Sequence, residues 1–469
     1  MACALRGRLE NMYRFWHVGF RWPWSSGKLQ SRLRRFFRTD PRALPVVSRS
    51  FPKQDLPSLQ VALEKWTAER AGSRSVLGYL SDFGMPVGLR ELIEDGEVGP
   101  VQHRAIDTGF QKQTTCVENG IHLLTAGEAR WAVHVRATQY PYGTGVEVEV
   151  VGGTADAAGQ FIESLRELVR KNSVYRGQIF SLESDPRMGG AEGAEIRFHR
   201  FAAVRREEII LPETTLSLLE RNTLGFLRHA EQLKRTGRSL KRGLLLHGKP
   251  GTGKTYAARW LAGAMEGLTT ILLTGEQLGL VRECCQMARM LAPALVIMED
   301  VDLIASSREA MTNSFSQVTL HQLMNEMDGL APSAEVIFLL TTNRPDAIET
   351  AIAARPGRID QAIEFPLPDA DCRRRLFDLY ARGLQWSVEN PARFIEKTEG
   401  ASPAFIQELI RKAALASAEE SPGADSLRVT DRHLETALRD LLLSGGELTR
   451  SLLGFRSATP SSPQSHSPS

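Results

Sequence analysis

Gly248-Lys249-Pro250-Gly251-Thr252-Gly253-Lys254-Thr255 is the stretch of this 469-residue chain whose residue types and spacing most directly imply chemistry. It follows the apolar run 244–247 and opens a helix near Tyr256, so three glycines stand where a strand turns into a helix. Glycines there let successive backbone N–H groups turn inward on phosphates at a helix N-terminus. Lys254 then reaches the outer phosphates, and the Thr255 hydroxyl is available to Mg2+. A magnesium nucleotide also needs carboxylates at the end of a neighbouring strand. The apolar run 295–298 supplies them, ending in Glu299-Asp300-Val301-Asp302, with Glu299 45 residues after Lys254. A further run, 336–342, ends at Asn343, which read alone is a turn residue. Arg355 and Arg358 follow, and arginines read alone are usually solvated surface groups.

Taken in order, these residues resemble the AAA ATPase family. Glu299-Asp300 stands where the family usually has Asp-Glu, so the resemblance implies that Glu299 holds the metal and Asp300 activates the attacking water, with the two acids exchanged. The mitochondrial AAA protein that matures the Rieske subunit carries the same exchange. One methylene moves each carboxylate by about 1.5 Å, which slows positioning-dependent chemistry without removing the groups. Asn343, in Asn343-Arg344-Pro345-Asp346, falls on the residue that orients the attacking water. Ala354-Arg355-Pro356-Gly357-Arg358-Ile359-Asp360 falls on the arginine-finger motif, whose arginines are donated to the neighbouring subunit's nucleotide. Gly400-Ala401-Ser402-Pro403-Ala404 falls on a segment packed near the nucleotide, with Pro403 where glycine is usual, which restrains the backbone there. The resemblance covers about residues 209–445. It implies ATP and Mg2+ as cofactors, with Gly248, Lys249, Pro250, Gly251, Thr252, Gly253, Lys254, Thr255 and Tyr256 around the nucleotide. It also implies a homo-oligomeric ring, as a hexamer. A nucleotide-controlled binding switch with little turnover is the alternative.

The elements that position these groups can be read from periodicity. From Ile209, four short apolar runs alternate with helical stretches, the pattern of a parallel sheet covered on both faces. The expected fold class is therefore α/β: a P-loop AAA module at 206–368 with a parallel sheet flanked by helices, then a small all-helical lid at 369–446. Before it, 131–135 and 146–150 alternate with a period of two, and 155–171 carries apolar residues at spacings of three and four. An α+β N-terminal domain is expected over 51–205, with a loop at 188–194. Its histidines, His103, His122, His134 and His199, look isolated and form no catalytic set. Residues 447–469, rich in Ser and Pro, are expected to be a disordered tail.

Charge is unevenly placed. The chain carries +3, but residues 1–45 hold ten Arg or Lys and two acids, a net +8 that leaves the rest at −5. Contact with nucleic acid or an anionic membrane surface is thus expected only through residues 1–45. This Arg- and aromatic-rich leader, 1–50, reads as an organelle transit peptide, a surface-docking segment or a disordered leader. Five scattered cysteines with no CxxC pair suit a reducing cytoplasm. No apolar run reaches membrane-spanning length. Protein-threading AAA machines carry an aromatic loop after the second strand. Here residues 274–281 pass at once into a helix, and the next candidate, 306–315, is polar. A remodelling or assembly role on a protein client recruited by 51–205 is therefore expected over processive threading.

Overall fold

The computed structural model describes residues 29–80, 87–138, 145–183, 195–265, 267–302, 315–329, 331–346, 359–423 and 426–444. The leader before Leu29, the 188–194 loop, nearly all of 306–315, Arg355, Arg358 and the tail from 447 lie outside these residues. The chain divides into two units, Met1–Tyr175 and Arg176–Ser469.

In the first unit an antiparallel sheet of seven strands runs in the order β1-β7-β6-β5-β2-β3, with β4 paired to β5. The strands are β1 (Val46–Phe51), β2 (Ser73–Tyr79), β3 (Val98–Gly99), β4 (Gln102–Gly109), β5 (Lys112–Ala126), β6 (Ala129–Thr138) and β7 (Gly145–Val151). The helices are α1 (Leu29–Phe37), α2 (Leu56–Glu69), α3 (Leu89–Asp95) and α4 (Ala155–Lys171). The period of two works as expected: Val146, Val148 and Val150 of β7 face a core with Trp66 of α2 and Phe161, Ile162 and Leu165 of α4. The opposite face packs Leu29 and Leu33 of α1 and Leu89, Leu92 and Ile93 of α3.

That second layer corrects the expectation of a disordered leader across 1–50. From Leu29 onward the segment is folded, because Leu29 and Leu33, one helical turn apart, are both completely buried. Arg32, Arg34, Arg35 and Arg38 lie on its exposed side. Two leucines make too short a stripe to count as a helix in sequence.

His134 is not isolated either. It is fully buried, with Nδ1 2.9 Å from Glu149 Oε2 and Nε2 2.9 Å from the Tyr79 hydroxyl. The same Glu149 oxygen accepts the Leu89 N–H at 2.8 Å, tying the start of α3 to the sheet.

The second unit is built on a sheet in the order β14-β10-β13-β12-β11-β8-β9. The strands are β8 (Ile179–Glu183), β9 (Glu195–Phe198), β10 (Lys241–His247), β11 (Thr269–Leu273), β12 (Ala294–Met298), β13 (Val336–Thr342) and β14 (Gln361–Glu364). All pairs except β8–β9 are parallel. Every residue of β12 and β13 is buried, as a sheet covered on both faces requires. After α5 (Glu213–Glu220), crossover helices α6 (Lys254–Ala264), α7 (Val281–Met290) and α8 (Phe315–Asp328) link successive strands. Cys284 and Cys285 of α7 are both buried.

The boundary expected near 205 falls instead at 175–176, since β8 and β9 extend the parallel sheet through β11. Alternating polarity identifies a strand but not the sheet it joins.

The end piece consists of α9 (Ala370–Tyr380), α10 (Pro391–Lys397), α11 (Pro403–Glu420) and α12 (Asp431–Arg439) around Phe394, Phe405, Leu409 and Leu434. It is not all-helical. Strands β15 (Gln385–Ser387) and β16 (Arg428–Thr430) pair in parallel, and three-residue strands carry no period to detect.

Candidate nucleotide-binding site

The strand order places the chemistry. β13 lies between β10 and β12, so the residues leaving its C-terminal end stand between the glycine loop after β10 and the carboxylates after β12. Ligands of open parallel sheets bind at this edge.

The glycine loop runs from Gly248 into α6, which begins at Lys254. Gly251 adopts φ +75°, a left-handed backbone that a side chain would strain, and a Cβ there would come 2.8 Å from Ala404 Cβ and 3.0 Å from Ser402 Oγ. The loop and the start of α11 are thus in direct contact. The Thr252 hydroxyl donates to Lys249 O at 2.9 Å. Lys254 is 5% exposed, and its ammonium donates to Gly248 O at 2.8 Å, Lys249 O at 3.0 Å and Asn343 Oδ1 at 2.8 Å. Burial pulls Lys254 down to about 8, against the opposing pull of Asp300 and Asp302.

Asn343 is the connecting piece: its Nδ2 donates to Asp300 Oδ1 at 3.0 Å while its Oδ1 accepts a hydrogen bond from the Lys254 ammonium. Asp300 has φ +51°. Among L-residues, Asp and Asn occupy this left-handed region more readily than Glu, which is a physical reason for the shorter acid to stand here. Glu299, one residue earlier, lies near the Thr255 side chain. Burial raises its pKa, opposed by the Arg259 charge and the Thr255 hydroxyl. Two adjacent oxygen donors, a hydroxyl and a carboxylate, fit a hard divalent cation.

Sequence reasoning counted Asp302 among the carboxylates after the apolar run 295–298 but gave it no role of its own. It is buried, and its Oδ1 accepts from the Thr342 hydroxyl at 3.0 Å and from the Asn343 backbone N–H at 3.1 Å. The available signal was its spacing, two residues beyond Asp300 at the end of a buried strand.

A cavity of about 480 Å3 opens beside these groups, lined by Gly251–Thr255, Asp300 and Asn343 together with the apolar Ile209, Leu211, Leu376 and Tyr380. Polar and apolar walls in one cavity of this volume suit a nucleoside phosphate. At its rim the Tyr256 hydroxyl donates to Glu208 at 3.3 Å, and Arg205 donates to the same carboxylate at 2.7 Å. Ser402 caps α11 and Pro403 occupies its first turn, where a missing N–H costs nothing. Ala404 N–H donates to Gly251 O at 3.2 Å, so the proline does not keep this segment away from the loop.

The short connection after β11 holds as expected: a 3-10 turn, Gly275–Leu280, leads directly into α7. Just beyond the segment with Arg355 and Arg358, Asp360 is anchored on β10, accepting the Gly243 N–H at 2.7 Å.

Residues 244–367 match the model of the "ATPase family associated with various cellular activities (AAA)". The chain is 34% identical over 226 residues to an ATP-dependent zinc metalloprotease FtsH of Acaryochloris marina, covering 45% of this chain and 34% of that one. It is 32% identical over 234 residues to a cell division cycle protein 48 homolog of Archaeoglobus fulgidus, covering 45% of this chain and 32% of the relative. It is 32% identical over 239 residues to the 26S proteasome regulatory subunit 8 of Caenorhabditis elegans, covering 48% and 56% respectively. The chain therefore spans about a third to just over half of the length of these curated relatives.

Proposed function

This chain carries an AAA ATPase domain, and from that premise we propose that it hydrolyses ATP in a homo-oligomeric ring and uses the cycle to remodel or assemble a protein client recruited by its N-terminal unit. The observation that carries the reading is the chain of contacts Lys254–Asn343–Asp300, which links the phosphate loop to the acid beside it.

In this reading the loop residues Gly248 to Gly253 hold the phosphates and Lys254 binds the outer ones. Thr255 and Glu299 hold Mg2+, which when bound neutralises charge developing on the phosphates. Asp300 takes the proton of the attacking water and Asn343 orients that water. Arg355 and Arg358 complete the neighbouring subunit's site. The short turn after β11 supports remodelling over threading. Four buried free cysteines, Cys116, Cys284, Cys285 and Cys372, support a reducing compartment, the cytoplasm being the simplest. Among the described residues no helix is long and apolar enough to cross a membrane. The exposed arginines of α1 support contact with an anionic surface through the leader.

Steady-state hydrolysis by the full chain tests the reading. Mg2+-dependent turnover is expected in the wild type, with Lys254→Ala failing to bind nucleotide and Asp300→Asn binding it but losing about 100-fold or more in rate. Arg358→Ala subunits mixed into wild type are expected to slow their neighbours. Binding without turnover at ring-forming concentration contradicts the enzyme and leaves the nucleotide switch.

A further inference from the structure

We propose that Asp302 is the positioning residue of the site: by pinning the end of β13, it sets Asn343 between Lys254 and Asp300. The inference rests on the reading of the site as an ATP-hydrolysing one, but the geometry behind it is independent of turnover.

Two strand ends meet here, and hydrogen bonds run between them in both directions. Asp300 N–H donates to Thr341 Oγ1 at 3.0 Å and Val301 N–H to Thr341 O at 3.0 Å, so the turn after β12 is laid along β13. Asp302 then closes the arrangement from the other side, accepting the Thr342 hydroxyl and the Asn343 N–H with one carboxylate oxygen. The Thr342 hydroxyl in turn accepts the Arg344 N–H at 3.0 Å. The backbone of 342–344 is therefore held by a carboxylate that is 5% exposed, out of competition with water. Only with that backbone fixed can the single Asn343 amide satisfy Lys254 with its oxygen and Asp300 with its nitrogen at the same time. Because Asp300 is the shorter acid and sits on a left-handed backbone, the tolerance for a displaced Asn343 is small. Asp302 points at the backbone and hydroxyl of its neighbours and acts through Asn343.

The test compares Asp302→Ala, Asp302→Asn and Thr342→Val in the full chain. Asn keeps an acceptor oxygen without the charge, and Val keeps the shape of Thr without the donor, so both remain informative if the alanine variant does not fold. Expected are a loss of about tenfold or more in kcat for Asp302→Ala and a several-fold loss for Thr342→Val. Asp302→Asn should stay within about threefold of wild type, and the affinity for a fluorescent ATP analogue within about threefold throughout. Asp302→Ala added to Asn343→Ala should cost nothing further, since a residue acting through another has no effect once that one is gone. A kcat unchanged in both Asp302→Ala and Thr342→Val overturns the proposal, as does a double variant that loses the full product of the two factors. A separate arm reads geometry alone. Hydrogen exchange at the Asn343 and Arg344 amides should be about tenfold faster or more in Asp302→Ala, or in Thr342→Val if the alanine variant is not folded, and near wild type in Asp302→Asn. Unchanged protection overturns the positioning even if the protein hydrolyses ATP. Lost protection upholds it even if the wild type does not turn over, in which case only the functional reading falls.

Discussion

Asp300 and Asn343 meet carboxylate to amide at 3.0 Å from the ends of two neighbouring parallel strands, and it is the residue with φ +51° that supplies the carboxylate. The shorter acid is thus matched to its backbone. Lengthening it should cost activity. Asp300→Glu puts a longer side chain on a left-handed residue and displaces it from Asn343, so turnover should fall by about tenfold with nucleotide affinity retained. Parallel rate and titration measurements decide it, and a variant faster than wild type would show that the backbone imposes no such preference.

Nucleotide affinity should depend on pH through Lys254. Burial lowers this ammonium to about 8, and its charge is what attracts phosphate. Below that value the residue is already protonated and affinity is level. Above it, binding must restore the proton, so affinity should fall by up to about tenfold per pH unit. Titrations with a fluorescent nucleotide across this range check the sign, and a level profile through pH 9 contradicts it.

The contact between the loop and the end piece should be separable from backbone strain. Gly251→Ala meets both a left-handed backbone and Ala404 Cβ at 2.8 Å, whereas Gly253→Ala, at φ +96°, has nothing within 4 Å of its added methyl. Each should lose about 1–3 kcal/mol to strain, with Gly251→Ala alone losing a further share of stability and nucleotide affinity. Thermal unfolding and calorimetric binding report the two effects, and equal losses in both variants would remove any role for the contact.

Asp55, 4% exposed and at the start of α2, should make stability fall as pH rises. Burial raises its carboxyl to about 7, above the ordinary value of 3.8 that it regains on unfolding. The folded state therefore holds its proton longer. The resulting stability is present in full below about pH 4, is lost progressively toward about pH 7, and amounts to about 4 kcal/mol at most. Asp55→Asn, which cannot ionise, should gain in midpoint temperature over wild type across that window and keep the gain above it. A constant difference between pH 4 and pH 8 would contradict the shift.

The amino-acid sequence by itself determined the parts that depend on local order. Residues 146–150 and 155–171 form the strand and helix that their spacing predicts, because a period of two or 3.6 is a property of adjacent residues. The glycine loop, Lys254, Glu299, Asp300 and Asn343 were legible for the same reason: each lies where a strand ends, a position visible in one dimension. Only the tertiary structure decided what those ends face. The order β10-β13-β12 sets Asn343 between Lys254 and Asp300, and no spacing along the chain encodes which strand lies in the middle. It likewise assigned β8 and β9 to the second sheet, buried Leu29 and Leu33 against α3, and paired β15 with β16. Asp302 belongs with these. Its type and position were visible, but its work is done through Thr342 and the Asn343 backbone, 40 residues and more along the chain, and such contacts exist only once the sheet has formed.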